Sequence, residues 1–390
     1  MDAIYIDAMY IEDHSLMLIQ EQVALAPLTT FGVGGPARYF AEATSFTEAR
    51  SALDFAQSRG LPWFVLGGGS NLLVSDAGFP GLVLHISVRG IERREEDGKM
   101  VFEAGAGEPW DAFVAEVVSA NCAGIECLSG IPGTVGGTPV QNVGAYGQEV
   151  SETITEVLVL DTVDGQLHTL CAPACDFSYR SSIFNSTARG RYIVLRVTYA
   201  FEPGGEARVE YRDIRNFFAG KNQKPSLSEV RDAVRQIRQS KGMLIVAGDD
   251  DCRSAGSFFK NPVLSPESYQ SLKDRAAARG LEIPAYPAPG QTHKIPAAWL
   301  VEQAGFPKGY NKGPVGISRK HSLAIVNRGG ARAADVVALK NEIQARVEDQ
   351  FGIRLVPEPV MIGFDQDTTA DGDLSESGAQ KSLQKKEAAR

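Results

Sequence analysis

The apolar run Trp63–Leu66 leads straight into Gly67-Gly-Gly-Ser-Asn71, and this junction restricts the possible folds more than any other stretch. Three glycines after a strand let a backbone approach a ligand closely with several N–H groups free, and Ser70 and Asn71 add side-chain donors. That combination suits a phosphate group. The spacing is neither G-x-G-x-x-G nor G-x4-G-K-[ST], so a Rossmann half and a P-loop are both excluded. Taken alone, such a loop serves equally well as a tight turn.

A second glycine-rich stretch tips the balance. Ser129-Gly-Ile-Pro-Gly-Thr-Val-Gly-Gly137 is followed by Pro139-Val-Gln-Asn142 and Gly144-Ala-Tyr-Gly147. A mobile linker would be polar and Ser-rich. This stretch instead carries Ile131, Val135, Val140 and Val143, so it folds against a core. Two such loops in one half of the chain predict one large phosphate-bearing cofactor.

The 390 residues suggest two or three domains. With 43% hydrophobic and 22% charged residues the chain can bury several cores. Its net charge of −9 argues against a nucleic-acid binder. No run is long enough for a membrane helix, and Met1–Gln20 lacks the basic start of a signal peptide, so a cytoplasmic protein is expected. The cysteines (122, 127, 171, 175 and 252) and histidines (14, 85, 168, 293 and 321) form no standard metal spacing, and no metal is expected.

Capping boxes at Ser45–Glu48 and Ser226–Glu229 predict helices to about Ser58 and Lys241. Pro109 opens a helix to about Asn121, and Ser265-Pro266 one ending near Gly280. Further helices are expected over Ile295–Ala304 and Ala333–Gln350. Strands are expected at Trp63–Leu66, Leu82–Ile86, Met100–Ala104, Glu156–Leu160, Tyr192–Phe201, Ser322–Val326, Ile353–Leu355 and Val360–Ile362. The fold class is therefore α+β: a strand-rich, glycine-rich N-terminal half and a helix-and-strand C-terminal half. The expected division is an extension over 1–22, one domain over 23–205, a second over 206–364, and a disordered polar tail over 365–390.

Thr30-Phe-Gly-Val-Gly-Gly-Pro36, GGGSN at 67–71, and SGIPGTVGG at 129–137 with QNVGAYG resemble the UDP-N-acetylenolpyruvoylglucosamine reductases, the FAD enzymes of peptidoglycan precursor synthesis. The resemblance extends from about residue 26 to 363. It implies an FAD domain of the vanillyl-alcohol-oxidase (PCMH) type and a C-terminal substrate domain. FAD would be held by Gly67, Gly68, Gly69, Ser70 and Asn71, and by Ser129, Gly130, Ile131, Pro132, Gly133, Thr134, Gly136 and Gly137. Gln141, Asn142, Gly144, Ala145, Tyr146 and Gly147 complete the second loop. No histidine falls between 86 and 167, so the FAD is expected to be noncovalent.

The chemistry falls on three motifs. In Tyr179-Arg180 the arginine is either a surface residue or a carboxylate partner; the resemblance makes Arg180 an active-site residue. Ser257, in Gly256-Ser-Phe-Phe-Lys-Asn-Pro262, lacks the G-x-S-x-G context of a nucleophile, and the resemblance makes it a proton donor to carbon. Glu358, between two prolines, matches a catalytic glutamate. Substrate contacts are implied for Tyr179, Tyr211, Lys241, Asn261, Lys294 and His321; solvated surface is the lesser alternative for Lys294 and His321. NADPH is the implied hydride donor, a UDP-sugar the substrate, and a monomer the expected state. The alternative is another flavin oxidase of the same fold, acting on a sugar or hydroxy acid. A sugar-nucleotide-binding regulator with no chemistry is a third reading.

Overall fold

The computed structural model describes residues 17–220 and 223–364. Most of the expected extension, and the whole expected tail, lie outside them. The first sheet is built from β1 (Ile19–Ala24), β2 (Pro36–Ala43), β3 (Trp63–Leu66) and β5 (Phe79–Ile86), with β4 (Leu72–Val74) lying apart. Its order is β1-β2-β5-β3; β1 runs antiparallel to β2, and β5 is parallel to both β2 and β3. Parallel neighbours need a crossover. Helix α1 (Phe46–Ser58) lies between β2 and β3, burying Ala49, Ala52, Leu53 and Ala56 at the spacing of one helix face. Its capping box is half formed: Ser45 Oγ accepts from Glu48 N at 3.2 Å, but the Glu48 carboxylate accepts from Thr44.

The second sheet is antiparallel. It comprises β6 (Ile91–Glu96), β7 (Lys99–Gly105), β8 (Ile154–Asp161), β9 (Leu167–Cys171) and β10 (Tyr192–Pro203), in the order β9-β8-β10-β7-β6. Helix α2 (Trp110–Ser119) packs Trp110 and Phe113 against Phe102, Tyr199 and Phe201. Buried aromatics with a polar atom seek a partner for it. Trp110 Nε1 donates to Leu128 O at 3.0 Å, and the Tyr199 hydroxyl shares a 2.9 Å hydrogen bond with Thr138 Oγ1. Both bonds fasten the second glycine stretch to this core.

Helices α3 (Arg212–Phe217) and α4 (Leu227–Ser240) follow. The α4 capping box is complete, and Val230, Ala233 and Val234 pack against Cys127 and Tyr146. The remainder forms a second core around α5 (Pro266–Ala277), α6 (Ala297–Gln303) and α7 (Ala333–Phe351), with two small antiparallel three-stranded sheets. Helix α6 starts later than the pattern suggests because Pro296 is its extended N-cap. The strand expected from Ser322 begins only at Ile325, since Ala324 N turns back to His321 O. Ile353–Leu355 does not form the expected strand; its apolar residues are buried, but Leu355 O accepts from Gln344 Nε2 at 2.8 Å.

The two cores interlock. Phe31, Val33 and Leu73 belong to the second core, and Asn327 Nδ2 donates to Phe31 O at 3.1 Å. The Asp76 carboxylate accepts from the N–H groups of Ala333 and Ala334 at the start of α7. The last strand, Val360–Ile362, pairs in parallel with β4.

Candidate active site

A cavity of about 1350 Å³ lies where these units meet. The two glycine loops form one wall and are laced together. Ser70 Oγ donates to Pro132 O at 3.0 Å, and Asn71 Nδ2 donates to Gln141 Oε1 at 2.9 Å. A Cβ on Gly68 would sit 2.5 Å from Gly133 Cα, so this contact excludes any side chain. Gly67, Gly69, Ile131, Pro132, Thr134, Gly136, Gly137, Gly144, Ala145 and Tyr146 also face the cavity.

Four residues expected at the cofactor stand behind that wall and support it. Ser129 is fully buried, with Oγ donating to Glu126 O at 2.6 Å. Gly130 N donates to Asp111 Oδ1 and Gly130 O accepts from Arg238 Nε at 3.0 Å. Asn142 binds Glu149 and Ser178 O, and Gly147 O accepts from Arg208.

Charge is distributed unevenly. Arg180, Arg189, Arg238, Lys241, Lys260 and Lys340 line the cavity, while Glu358 is its only carboxylate among the described residues. A chain of net charge −9 thus concentrates positive potential at one place, as a site for a polyanion requires. Arg238 escaped the sequence reading. Arg231, Arg235 and Arg238 recur at helical spacing along α4, a signal that was available.

Arg180, Glu358 and Ser257 come together on the wall contributed by both halves. Arg180 Nη2 donates to Gly144 O at 2.9 Å, and its Nε lies 3.4 Å from Glu358 Oε1. The Arg180 backbone adopts φ +55°, an unfavourable left-handed conformation held by the reciprocal Ser178–Ser181 bonds. Glu358 N donates to Phe258 O at 2.9 Å, and Val360 N to Asn71 O at 3.0 Å. These bonds pin the Pro357–Pro359 segment between the second core and the first glycine loop. Burial pushes the Glu358 carboxyl above the usual carboxylate range, with Arg180 and Lys260 opposing the shift. Ser257 faces the cavity, and its hydroxyl makes no hydrogen bond with a described residue.

Of the expected substrate contacts, Tyr211, Lys241 and His321 line the cavity. Tyr211 meets Tyr146 edge-on, with centroids 5.3 Å apart, and Lys241 Nζ pairs with Asp213 at 2.5 Å. His321 Nδ1 accepts from Leu323 N at 2.9 Å, which leaves Nε2 to carry the proton. Burial and nearby cations lower its pKa to about 4, so it is a neutral donor at pH 7. The other three sit off the cavity wall. Lys294 Nζ lies over the Tyr179 ring at 3.9 Å, and Asn261 Oδ1 accepts from Ala297 N at 2.8 Å, capping α6.

The residues present fit FAD: a cradle in which Gly68, Gly69 and Gly136 have no room for a side chain, backbone close to the cavity on two loops, and cations around it. Residues 37–170 match the FAD binding domain family, and residues 248–362 match the C-terminal domain of UDP-N-acetylenolpyruvoylglucosamine reductase. The chain is 46% identical to the UDP-N-acetylenolpyruvoylglucosamine reductase of Thermobifida fusca over 87% of its own length and 97% of the relative's. It is 40% identical to that of Pseudomonas putida, covering 87% and 98%. The crystal structure of the reductase from Thermus caldophilus superposes with a TM-score of 0.59 at 27% identity, covering 89% of this chain and 99% of that one. No helix among the described residues is long and apolar enough to cross a membrane. Two matching domains and high identity along nearly the full length of such relatives have one reading: this chain is a flavoprotein oxidoreductase and belongs to the UDP-N-acetylenolpyruvoylglucosamine reductase family.

Proposed function

We propose that the protein reduces UDP-N-acetylglucosamine enolpyruvate to UDP-N-acetylmuramate in peptidoglycan precursor synthesis, with NADPH as reductant. The observation that carries this reading is the Arg180–Glu358 pair, its Glu358 backbone bonded to Phe258 next to Ser257, in one cavity with an unengaged Ser257 hydroxyl and two glycine loops. FAD, which those loops would hold noncovalently, would supply the hydride chemistry between NADPH and the enolpyruvyl group.

The protein's residues do the rest. The Arg180 guanidinium holds the substrate carboxylate and stabilises the charge that develops toward it, a role worth about 3–4 kcal/mol per well-placed donor. Glu358 keeps its proton more readily than an ordinary carboxylate, so it approaches that anion as a hydrogen-bond donor rather than as a repelling charge. Ser257 gives its proton to C2, where an enolate carbon is basic enough to take it from a hydroxyl. Buried Phe258 and Phe259 keep water from that side. Lys241 and Arg238 neutralise diphosphate, His321 donates from Nε2, and Tyr211 closes over the sugar nucleotide.

Anaerobic stopped flow tests the proposal. Protein reduced with one equivalent of NADPH is mixed with the enolpyruvyl substrate, and return of the oxidised flavin band is followed. Rapid return with UDP-N-acetylmuramate as product is expected, and Ser257→Ala should slow this step alone. Flavin reoxidised only by air would overturn the reading in favour of an oxidase.

A further inference from the structure

The Thr30–Pro36 segment has no part in the chemistry above, yet it touches both sides of the site. Thr30 N donates to Gly69 O at 3.1 Å. Its hydroxyl donates to Ser254 O at 2.7 Å, with Ser70 O a more distant acceptor at 3.3 Å. One residue therefore joins the first glycine loop to the segment that carries Ser257. The neighbouring Phe31 is fully buried and meets Phe258 edge-on at 6.4 Å.

Ser257 is suspended between these anchors. Ser254 Oγ accepts from Gly256 N at 3.2 Å, closing a short turn in which Gly256 takes φ +71°. Phe258 N donates to Leu323 O at 2.8 Å on the far side. The chain between Ser254 and Phe258 is thus held at both ends, and no partner among the described residues orients the Ser257 hydroxyl. Its place relative to the glycine loop is set by the backbone, and Thr30 is the direct link between the two.

We infer that Thr30 is a positioning residue for proton delivery by Ser257, fixing the Gly256-Ser257 turn against the first glycine loop. The inference rests on the proposed role of Ser257 as proton donor. Thr30→Val keeps the shape and removes only the hydroxyl, leaving Ser254 O without that donor.

The test uses full-length FAD-loaded protein and separates the two half-reactions by anaerobic stopped flow. Thr30→Val should retain its flavin and be reduced by NADPH at the parent rate. Reoxidation by the enolpyruvyl substrate should slow roughly tenfold to a hundredfold, as a small misplacement of a reacting group does. Thr30→Ser should restore it. In a Ser257→Ala background Thr30→Val should add no further loss, because the group it places is gone. Equal slowing of both half-reactions, unchanged reoxidation, or a multiplicative loss in that background would overturn the inference. If Ser257→Ala alone leaves reoxidation unimpaired, the proton-donor role itself fails. That outcome is distinct from a Thr30 failure with Ser257 upheld.

Discussion

Gly68→Ala places one methyl group where the two glycine loops touch. Gly68 does not have a positive φ, so alanine suffers no backbone penalty and the whole effect is steric. The new Cβ would lie 2.5 Å from Gly133 Cα and 2.9 Å from Gly133 C. Ordinary contact needs about 3.4 Å or more, so the loops must part by roughly 1 Å. Overpacking of this kind costs about 1–3 kcal/mol. For a unit of this size that is a fall in Tm of roughly 2–12 °C. The same separation weakens the Ser70–Pro132 and Asn71–Gln141 bonds, and with them the cradle for FAD. Each 1.4 kcal/mol lost there weakens FAD about tenfold. The assay is thermal unfolding of the flavin-free protein, paired with FAD binding measured by ultrafiltration. Gly137→Ala is the control: nothing lies within 4 Å of its Cβ, so the flavin-free Tm should not move. An unchanged Tm and unchanged FAD affinity for Gly68→Ala would show that the loops do not meet as described.

Two further outcomes follow from buried titratable groups. Burial raises the Glu358 pKa, so the wild type loses stability as pH rises from the ordinary carboxylate range through that raised value; Glu358→Gln should be the more stable at neutral pH and lose that advantage in acid, which unfolding at several pH values reads directly. The same substitution should remove the decline in substrate reduction at rising pH, because an amide cannot ionise. His321 has the opposite sign: its pKa is depressed from 6.5 to about 4, so its contribution is present above about pH 6.5 and lost as pH falls toward 4. His321→Asn should flatten acid destabilisation in that window, and an unaltered acid limb would mean the imidazole is not buried as described.

Local chemistry made much of this legible. Ser45, Ser226 and Ser265 cap the helices that their side chains announce, and both glycine loops line the cavity. What escaped was decided by distant partners. Five of six residues in β6 are charged, and only its pairing with β7 makes it a strand. β4 passes for part of the glycine loop until Val360–Ile362 arrives beside it. The reverse error occurs at Ile353–Leu355, where apolar alternation reflects burial without a neighbouring strand. In the site, motif matching located Arg180, Ser257 and Glu358, but periodicity alone placed none of their contacts. Asn261 and Lys294, which only the resemblance implied, lie off the cavity wall: one caps a helix and the other covers an aromatic ring.

The pairing of β4 with Val360–Ile362 also governs how the molecule is made. β4 is translated early, and its hydrogen-bonding partner is among the last described residues to leave the ribosome. At the usual 5–20 residues per second, that edge stays open for roughly half a minute. Once residue 147 has been made, the nascent chain has both glycine loops but no Glu358, and so an incomplete cavity wall. The unpaired edge is also a template for wrong pairing, which makes this interval the one in which the nascent chain is most exposed to aggregation and to capture by chaperones. On the proposed role of Glu358, catalytic competence waits for the strand that seals this edge, because Val360–Ile362 directly follows Glu358.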